Sequence, residues 1–534
     1  MNIKPEDDSK MVDTMKETVS IKSKHIEVES CEYQNYIPLW LKPNPKQEWI
    51  IQPDGSYVSS LFLKSEERSA TLSDLVVDLV YVILLSSLSR AFRATVDDHP
   101  LVALRDLFAL FSPIWHSWFS IARFLNQFEE KDAVFTLFFF SNLIVSAVLA
   151  INAESCGTAE DRTGCSHFVW TIAGLRLLTV VGYLYVWYFN PRYNKFFKAR
   201  IFNDVVRMFL WFITGFFFPV PGDSCHDKDP SDRCWAPFIG FWWTAWFADN
   251  LNWIHAYYLI NSNYYSKKSE NIPIDTKISS ERNSLFAVIA LGEIITAALV
   301  SGGESEHHRR RLQIHNADDH NYTVSSLAPV SLIVIMAGLI KLLLFDFNPT
   351  PSPTGTTCGQ HALNRNFRTG TIWIYMQMPL NACFVIIGAL LEPLKAEAEI
   401  SYNASLLLSI TLACIILIVT ILDLQHCERA KGRRVKPMYR VVICFCFAFT
   451  IVGLWFLDDW HESPKLATDF VLILDIILAF YVVYIFYSHL PAVDNNNKVS
   501  ENYDIGHTFE KALLEERNDD DITDSNKHAD AYYD

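Results

Sequence analysis

What this chain of 534 residues has too little of is charge: Asp, Glu, Lys and Arg make up 20% of it, against 50% hydrophobic residues. Helices in water need a polar face, so a water-soluble body of this size is excluded. No basic-then-apolar leader opens the sequence, and targeting is expected to fall to the first apolar segment, acting as an uncleaved anchor. No stretch interleaves basic and aromatic residues, which argues against nucleic acid as a partner. His-Glu-x-x-His, Gly-x-Ser-x-Gly and a glycine-rich phosphate loop are all missing, and the histidines are scattered rather than spaced as ligands. We therefore expect no catalytic residues, no metal and no cofactor.

Long apolar runs are what the chain has instead. Twelve are recognisable, at about 72–93, 103–123, 133–153, 168–189, 201–221, 236–260, 283–302, 325–346, 371–392, 404–424, 438–457 and 468–489. Each approaches the ~20 residues a helix needs to cross the hydrocarbon, and in lipid only a helix or a closed barrel satisfies its own backbone. The expected fold is an all-α, polytopic transmembrane bundle of about 12 spans over residues 71–490. Residues 1–70 read as a partly disordered cytoplasmic segment in which residues 36–63 lie along the membrane surface. Residues 491–534 form an acidic tail, with Asp519, Asp520, Asp521 and Asp524 after Glu515 and Glu516, that holds much of the net charge of −15. Such a tail buries too little apolar surface to fold alone.

Three signals set the orientation. Positive charge gathers in alternate loops: Arg192, Lys195, Lys198 and Arg200, then Lys267, Lys268 and Lys277, then Arg429, Lys431, Arg433, Arg434 and Lys436. Such loops face the cytoplasm, which puts both termini there, in a plasma membrane or endomembrane. Cys156 and Cys165 share one opposite-side loop, Cys225 and Cys234 another. We read them as disulfides, with pairing inside or between the loops left open and free thiols or a metal as alternatives. The sequons at Asn321 and Asn403 also fall on that outer side, and Asn321, farther from the membrane, is the better glycosylation acceptor. The basic run His307–Arg311 lies in an outer loop and breaks the charge rule, which long loops follow poorly.

Charges inside the spans carry the functional argument, because a charge at mid-bilayer costs ~2.5–3.5 kcal/mol and so normally faces protein or water. Asp74 and Asp78 are four apart and share one face of the first helix. Span two holds Trp115, His116 and Trp118, and span six runs Trp242, Trp243, Trp246, Asp249, Asn250, Asn252, His255. Arg123, Asp204, Lys341 and Asp423 are near span ends, where snorkelling explains them, and the Trp residues alone read as packing or belt anchors. Asp78, Arg176, Asp249, Glu293 and Asp475 are too deep for that. For these, a structural ion pair, such as Arg176 with Asp249 or Glu293, competes with a transport role in which the acids converge at mid-membrane. Glu293 is the leading candidate, since a carboxyl at that depth can carry a proton and Gly292 before it would admit another backbone or a substrate.

Two segments resemble a known family. Asp74-Leu-Val-Val-Asp78-Leu-Val-Tyr-Val is similar to the Glu-Leu-Phe-Phe-Asp-Leu-Val-Phe-Val opening of the low-temperature-requirement protein A (LtrA) family. Glu281-Arg282-Asn-Ser-Leu285-Phe286-Ala-Val-Ile289-Ala-Leu291-Gly292-Glu293 is similar to its Glu-Arg-x-x-Leu-Phe-x-x-Ile-x-Leu-Gly-Glu motif. Asp74 stands where the family has Glu, and Val76-Val77 where it has aromatics. The cysteine loops and polar tails look like additions of a eukaryotic member. The resemblance implies a multi-pass membrane protein and adds weight to Asp74, Asp78, Glu281, Arg282, Gly292 and Glu293.

The two motifs begin spans one and seven, which suggests two six-helix halves of one orientation, as in transporters built from parallel repeats. The expected function is a transporter or permease for a small solute or ion, coupled to protons through Glu293. A receptor or sensor, or a membrane scaffold, is the alternative. The expected partners are the lipid bilayer and that unidentified solute; the oligomeric state is not readable.

Overall fold

The computed structural model describes residues 49–51, 57–59, 72–97, 99–128, 133–157, 163–218, 236–252, 272, 274–299, 327–346, 362–365, 367–395, 401–425, 437–454 and 464–489. Its long helices are α1 (Leu72–Val96), α2 (Pro100–Gln127), α3 (Ala133–Gly157), α4 (Thr163–Phe189), α5 (Asn194–Phe216), α6 (Ala236–Asn250), α7 (Thr276–Leu299), α8 (Leu327–Lys341), α9 (Phe367–Lys395), α10 (Tyr402–Gln425), α11 (Pro437–Leu454) and α12 (Pro464–His489). These twelve match the twelve apolar runs one for one. A short antiparallel hairpin, Trp49–Ile51 with Tyr57–Ser59, precedes them within the segment expected to lie along the membrane surface. The acidic tail, most of the N-terminal segment and the His307–Arg311 run lie outside the described residues.

Helix starts follow local chemistry. Pro opens α2, α11 and α12, where its missing N–H is not needed. Asp275 caps α7, its Oδ1 accepting from the backbone N–H groups of Lys277 (3.0 Å) and Ile278 (3.2 Å). Six helices are long and apolar enough to cross a membrane: α1, α3, α4, α9, α10 and α12. Shorter apolar helices span Ala328–Leu344 and Tyr439–Leu454. The other four are less clear for a physical reason: α2, α5 and α7 carry charge along their length, and α6 is described over only 15 residues. The whole is a multi-pass helical membrane protein.

Packing follows a repeated order. Among the first six helices, α1 packs on α2 and α3, α3 on α4, α4 on α5, α5 on α6, and α6 on α2. Raising every number by six gives contacts that are also present: α7 on α8 and α9, α9 on α10, α10 on α11, α11 on α12, and α12 on α8. The added α2–α4 contact in the first set has no comparably extensive partner in the second. Between the sets, α1 lies against both α7 and α9.

Polar contacts at helix ends give the relative directions. At one end Arg90 bonds Glu154 (2.7 Å), Arg93 pairs with Glu392, and Asp97 receives Ser401 (2.5 Å) and Asn403 (3.1 Å). These are the C-terminal ends of α1, α3 and α9 and the start of α10. At the opposite end Asn126, closing α2, clamps the backbone of Asp275, which precedes α7: its Nδ2 donates to the Asp275 carbonyl (2.9 Å) and its Oδ1 accepts from the Asp275 N–H (3.0 Å). The Cys156–Cys165 disulfide, between α3 and α4, belongs to the first end together with Asn403. Arg192, Lys195 and Lys277 belong to the other. Cys225, Cys234 and Asn321 lie outside the described residues.

Candidate functional site

Buried charge in this fold falls into separate groups, and the groups differ in whether a cation answers the acid. The first lies where α1, α2 and α7 meet. Asp78, 1% exposed, accepts from the Trp118 indole N–H at 2.7 Å and from Arg282 at 3.4 Å. Arg282 also donates to the Ala122 carbonyl at 3.2 Å, and Phe286, one turn along α7, packs on Trp118 with ring centroids 4.3 Å apart. Residues from both family-like motifs thus share one contact. Asp74 is in the first turn of α1, and Glu281 is half-buried on α7.

Farther along both helices, Ser86 of α1 donates to Glu293 of α7 at 2.6 Å. Since Asp78 precedes Ser86 and Arg282 precedes Glu293, α1 and α7 run parallel. The two levels are ~12 Å apart along α1. Glu293 is 5% exposed, and among the described residues no Lys, Arg or His lies within ion-pair distance of it. The close backbone approach expected at Gly292 occurs elsewhere. A methyl added to Gly292 would meet nothing within 4 Å, whereas one added to Gly388 of α9 would lie 3.0–3.2 Å from the backbone of Glu293 and Ile294. Gly388 therefore sets the α7–α9 spacing, and Gly292 borders open space. Gly388→Ala forces backbone apart and is expected to cost ~1–3 kcal/mol, read as a lower denaturation midpoint in detergent. An unchanged midpoint would show that the two helices separate freely.

A second group links α2, α4, α5 and α6. Asp249, fully buried, faces Arg176 at 3.0 Å and Arg207 at 3.3 Å, and accepts from the Trp211 indole N–H at 3.0 Å. Asp204 pairs with Arg207 and lies 3.4 Å from Arg200. Each carboxylate is therefore met by two guanidiniums, and Asp249 by an indole as well. Asp204 does not snorkel as its position near a span end suggested: it is 0% exposed, because Arg200 and Arg207 sit one turn to either side on the same face of α5. Asp423 differs in the same way, paired with the buried Arg440 of α11. The polar run of α6 laces it to α2: Asn250 donates to Ser112 (2.7 Å) and its Oδ1 lies 3.3 Å from His116 Nε2, while the Trp246 indole donates to the Phe108 carbonyl (3.1 Å). His255 lies outside the described residues.

Asp475 stands alone. It is 3% exposed on α12, and neither carboxylate oxygen has a hydrogen-bond partner among the described residues. No described contact joins Asp78, Asp249, Glu293 and Asp475 to one another. A groove of about 580 Å³ between α11 and α12, lined by Cys446, Phe447, Thr450, Ile477, Phe480 and Tyr484 among others, is apolar and holds none of them.

Sequence reasoning offered Arg176 with Asp249 or with Glu293 as a structural ion pair, and the first of these is observed. It missed Arg207 as the common partner of Asp249 and Asp204, though its position three residues after Asp204 was a usable signal. It also missed Ser86, Gly388 and the Asn126–Asp275 clamp, whose residue types are ordinary in any loop or helix.

Comparison with curated proteins and with solved structures returns no match. A family description, "Bacterial low temperature requirement A protein (LtrA)", matches residues 69–458, which takes in α1 to α11 and both motif-bearing helices. On that match, covering well over half of its length, the chain belongs to the LtrA family.

Proposed function

We propose that this protein is a transporter or permease that moves a small solute or ion between two six-helix halves, α1–α6 and α7–α12, along the seam where α1 meets α7. All twelve helices cross the membrane in this reading. The basic end, with Arg192, Lys195 and Lys277, faces the cytoplasm, and the end with the disulfide and Asn403 faces out. Repetition of one packing order in both halves supports the division, and the parallel course of α1 and α7 fits two halves of the same orientation. Asn321 serves as the glycan acceptor, since the Asn403 amide is already engaged at Asp97.

The observation that carries the reading is the contrast among the deep acids. Arginines neutralise Asp78 and Asp249, so these two serve the fold. Glu293 accepts a hydrogen bond from a serine hydroxyl, while Arg90, one turn beyond Ser86, acts on it only through space and bonds Glu154 instead; open space lies beside Gly292 one position away. A buried acid with no cation in direct contact among the described residues, on a helix at the seam between repeats, suits proton exchange as solute passes. The test is proton-linked flux into vesicles carrying the purified protein and a pH-sensitive dye. Glu293→Gln keeps the shape and removes the exchangeable charge, and is expected to cut coupled flux at least tenfold, equivalent to ~1.4 kcal/mol on the barrier. Undiminished flux in that variant removes Glu293 from the pathway.

A sensor signalling through its acidic tail is the second reading, favoured by the disulfide-braced outer end. Deleting residues 495–534 separates them: a transporter keeps its flux.

A further inference from the structure

The repeat places Asp475 in a position whose counterpart has a known partner set. α12 packs on α11 and α8 as α6 packs on α5 and α2. Asp249 is the fourteenth residue of α6 and Asp475 the twelfth of α12, so the two acids sit at similar depth in equivalent helices. In the first half, α4 and α5 supply Arg176 and Arg207 to Asp249. In the second, the corresponding helices α10 and α11 supply nothing: Arg440 of α11 is taken by Asp423 of α10, and the other buried side chains of α10 are aliphatic or hydroxylic.

The other helices against α12 do not make up the difference. On α8 the described cation is Lys341, which is exposed; on α9 it is Arg368, also exposed, and the acid Glu392 of α9 is held by Arg93. The nearest turns of α12 itself offer Val471, Leu474 and Leu478, all buried. Among the described residues, an ionised carboxylate in such walls would have neither a cation nor a hydrogen-bond donor to compensate it. A metal cation is a poor occupant too, since Na⁺- or Ca²⁺-like ions want several oxygen ligands, and Asp475 brings only its own two. The occupant that needs no further ligand is a proton.

We propose that Asp475 is a proton-binding site inside the second half: a buried carboxyl that holds its proton in the resting protein and is the group on α12 able to release it when the helices around it part. The proposal rests on the transport reading for its purpose, while the protonated carboxyl itself is independent of it. The first half keeps the same position locked by arginines, so the two halves divide the work into one fixed and one exchangeable acid.

The experiment uses the full chain in lipid nanodiscs and an apolar carbodiimide, dicyclohexylcarbodiimide. A protonated carboxyl adds across it: the acid proton passes to one carbodiimide nitrogen, the carboxyl oxygen bonds the central carbon, and acyl migration from oxygen to nitrogen gives a stable N-acylurea. Nothing is oxidised and nothing leaves. Peptide mass mapping is expected to show Asp475 modified at least fivefold faster than the exposed acids Asp106 and Glu154. The adduct should disappear in D475N and persist in D475E. D475N is also expected to keep the wild-type denaturation midpoint, because an amide replaces a neutral acid.

Modification of Asp475 no faster than of Asp106, or a marked fall in the D475N midpoint revealing a charge partner, overturns the proposal. The two readings fail separately. A modified Asp475 in a protein that moves no solute sinks the transport reading alone, and an unmodified Asp475 in a protein with intact flux sinks this one alone.

Discussion

Replacing Asp249 by Ala is expected to cost the folded protein ~3–5 kcal/mol, the usual penalty for removing one partner of a buried ion pair. The reason is the arrangement around it. Arg176 and Arg207 both point at this carboxylate, and each is about 1% exposed, so neither can turn to water when the acid is gone. Asp204 would be left to answer three arginines. Trp211 would lose its acceptor as well. Tryptophan fluorescence during chemical denaturation in detergent measures the effect, and size-exclusion chromatography shows whether the variant accumulates as a single species. A midpoint within experimental scatter of wild type would mean that α4, α5 and α6 are held by apolar packing alone.

A similar single-site loss, ~3–5 kcal/mol, is expected for Asp78→Ala or Arg282→Ala. Here a second variant separates structure from function. Replacing the pair together by apolar residues of similar volume, D78L with R282M, removes the unpaired charge, and such exchanges are often neutral or stabilising. The double variant should therefore recover most of the midpoint lost by either single one. If it also recovers flux, the pair is scaffolding; if it is stable and inactive, the family-like motifs serve transport directly. A double variant as unstable as the singles would contradict the assignment of Asp78 and Arg282 as mutual partners, and would point to Trp118 and the Ala122 carbonyl as the contacts that count.

Much of the fold was legible because a bilayer simplifies the reading: length and apolarity alone located all twelve helices. The alternation of Arg192, Lys195 and Lys277 with the cysteine loop likewise predicted which helix ends lie together. The site was legible only as a set of residue types. Asp78, Arg176, Asp249, Glu293 and Asp475 stood out by depth, yet depth does not say which acid has an arginine. That depends on which helices are neighbours, and on rotation about each helix axis, neither of which hydropathy encodes. Asp204 illustrates the point: near a span end it reads as a snorkelling side chain, and only the shared face of Arg200 and Arg207 explains its burial. Gly292 illustrates another. A glycine next to a key acid signals a close approach, but whether the neighbour arrives there or at Gly388 is a question of packing across helices far apart in sequence.

The contacts that tie the halves together are unequal at the two ends of the bundle, and this has a mechanical consequence. At one end the ties are Arg93 with Glu392 and Asp97 with Ser401 and Asn403, all of them at least partly wet. Wet pairs are worth ~0–1 kcal/mol each, because water replaces them readily. At the other end the ties are the Asn126 clamp on Asp275 and the Asp78–Arg282 pair, both dry. A body fastened in this way behaves like a clothes-peg. Thermal motion prises apart the lip beside the disulfide first, while the opposite grip acts as the spring and yields only to something that binds there.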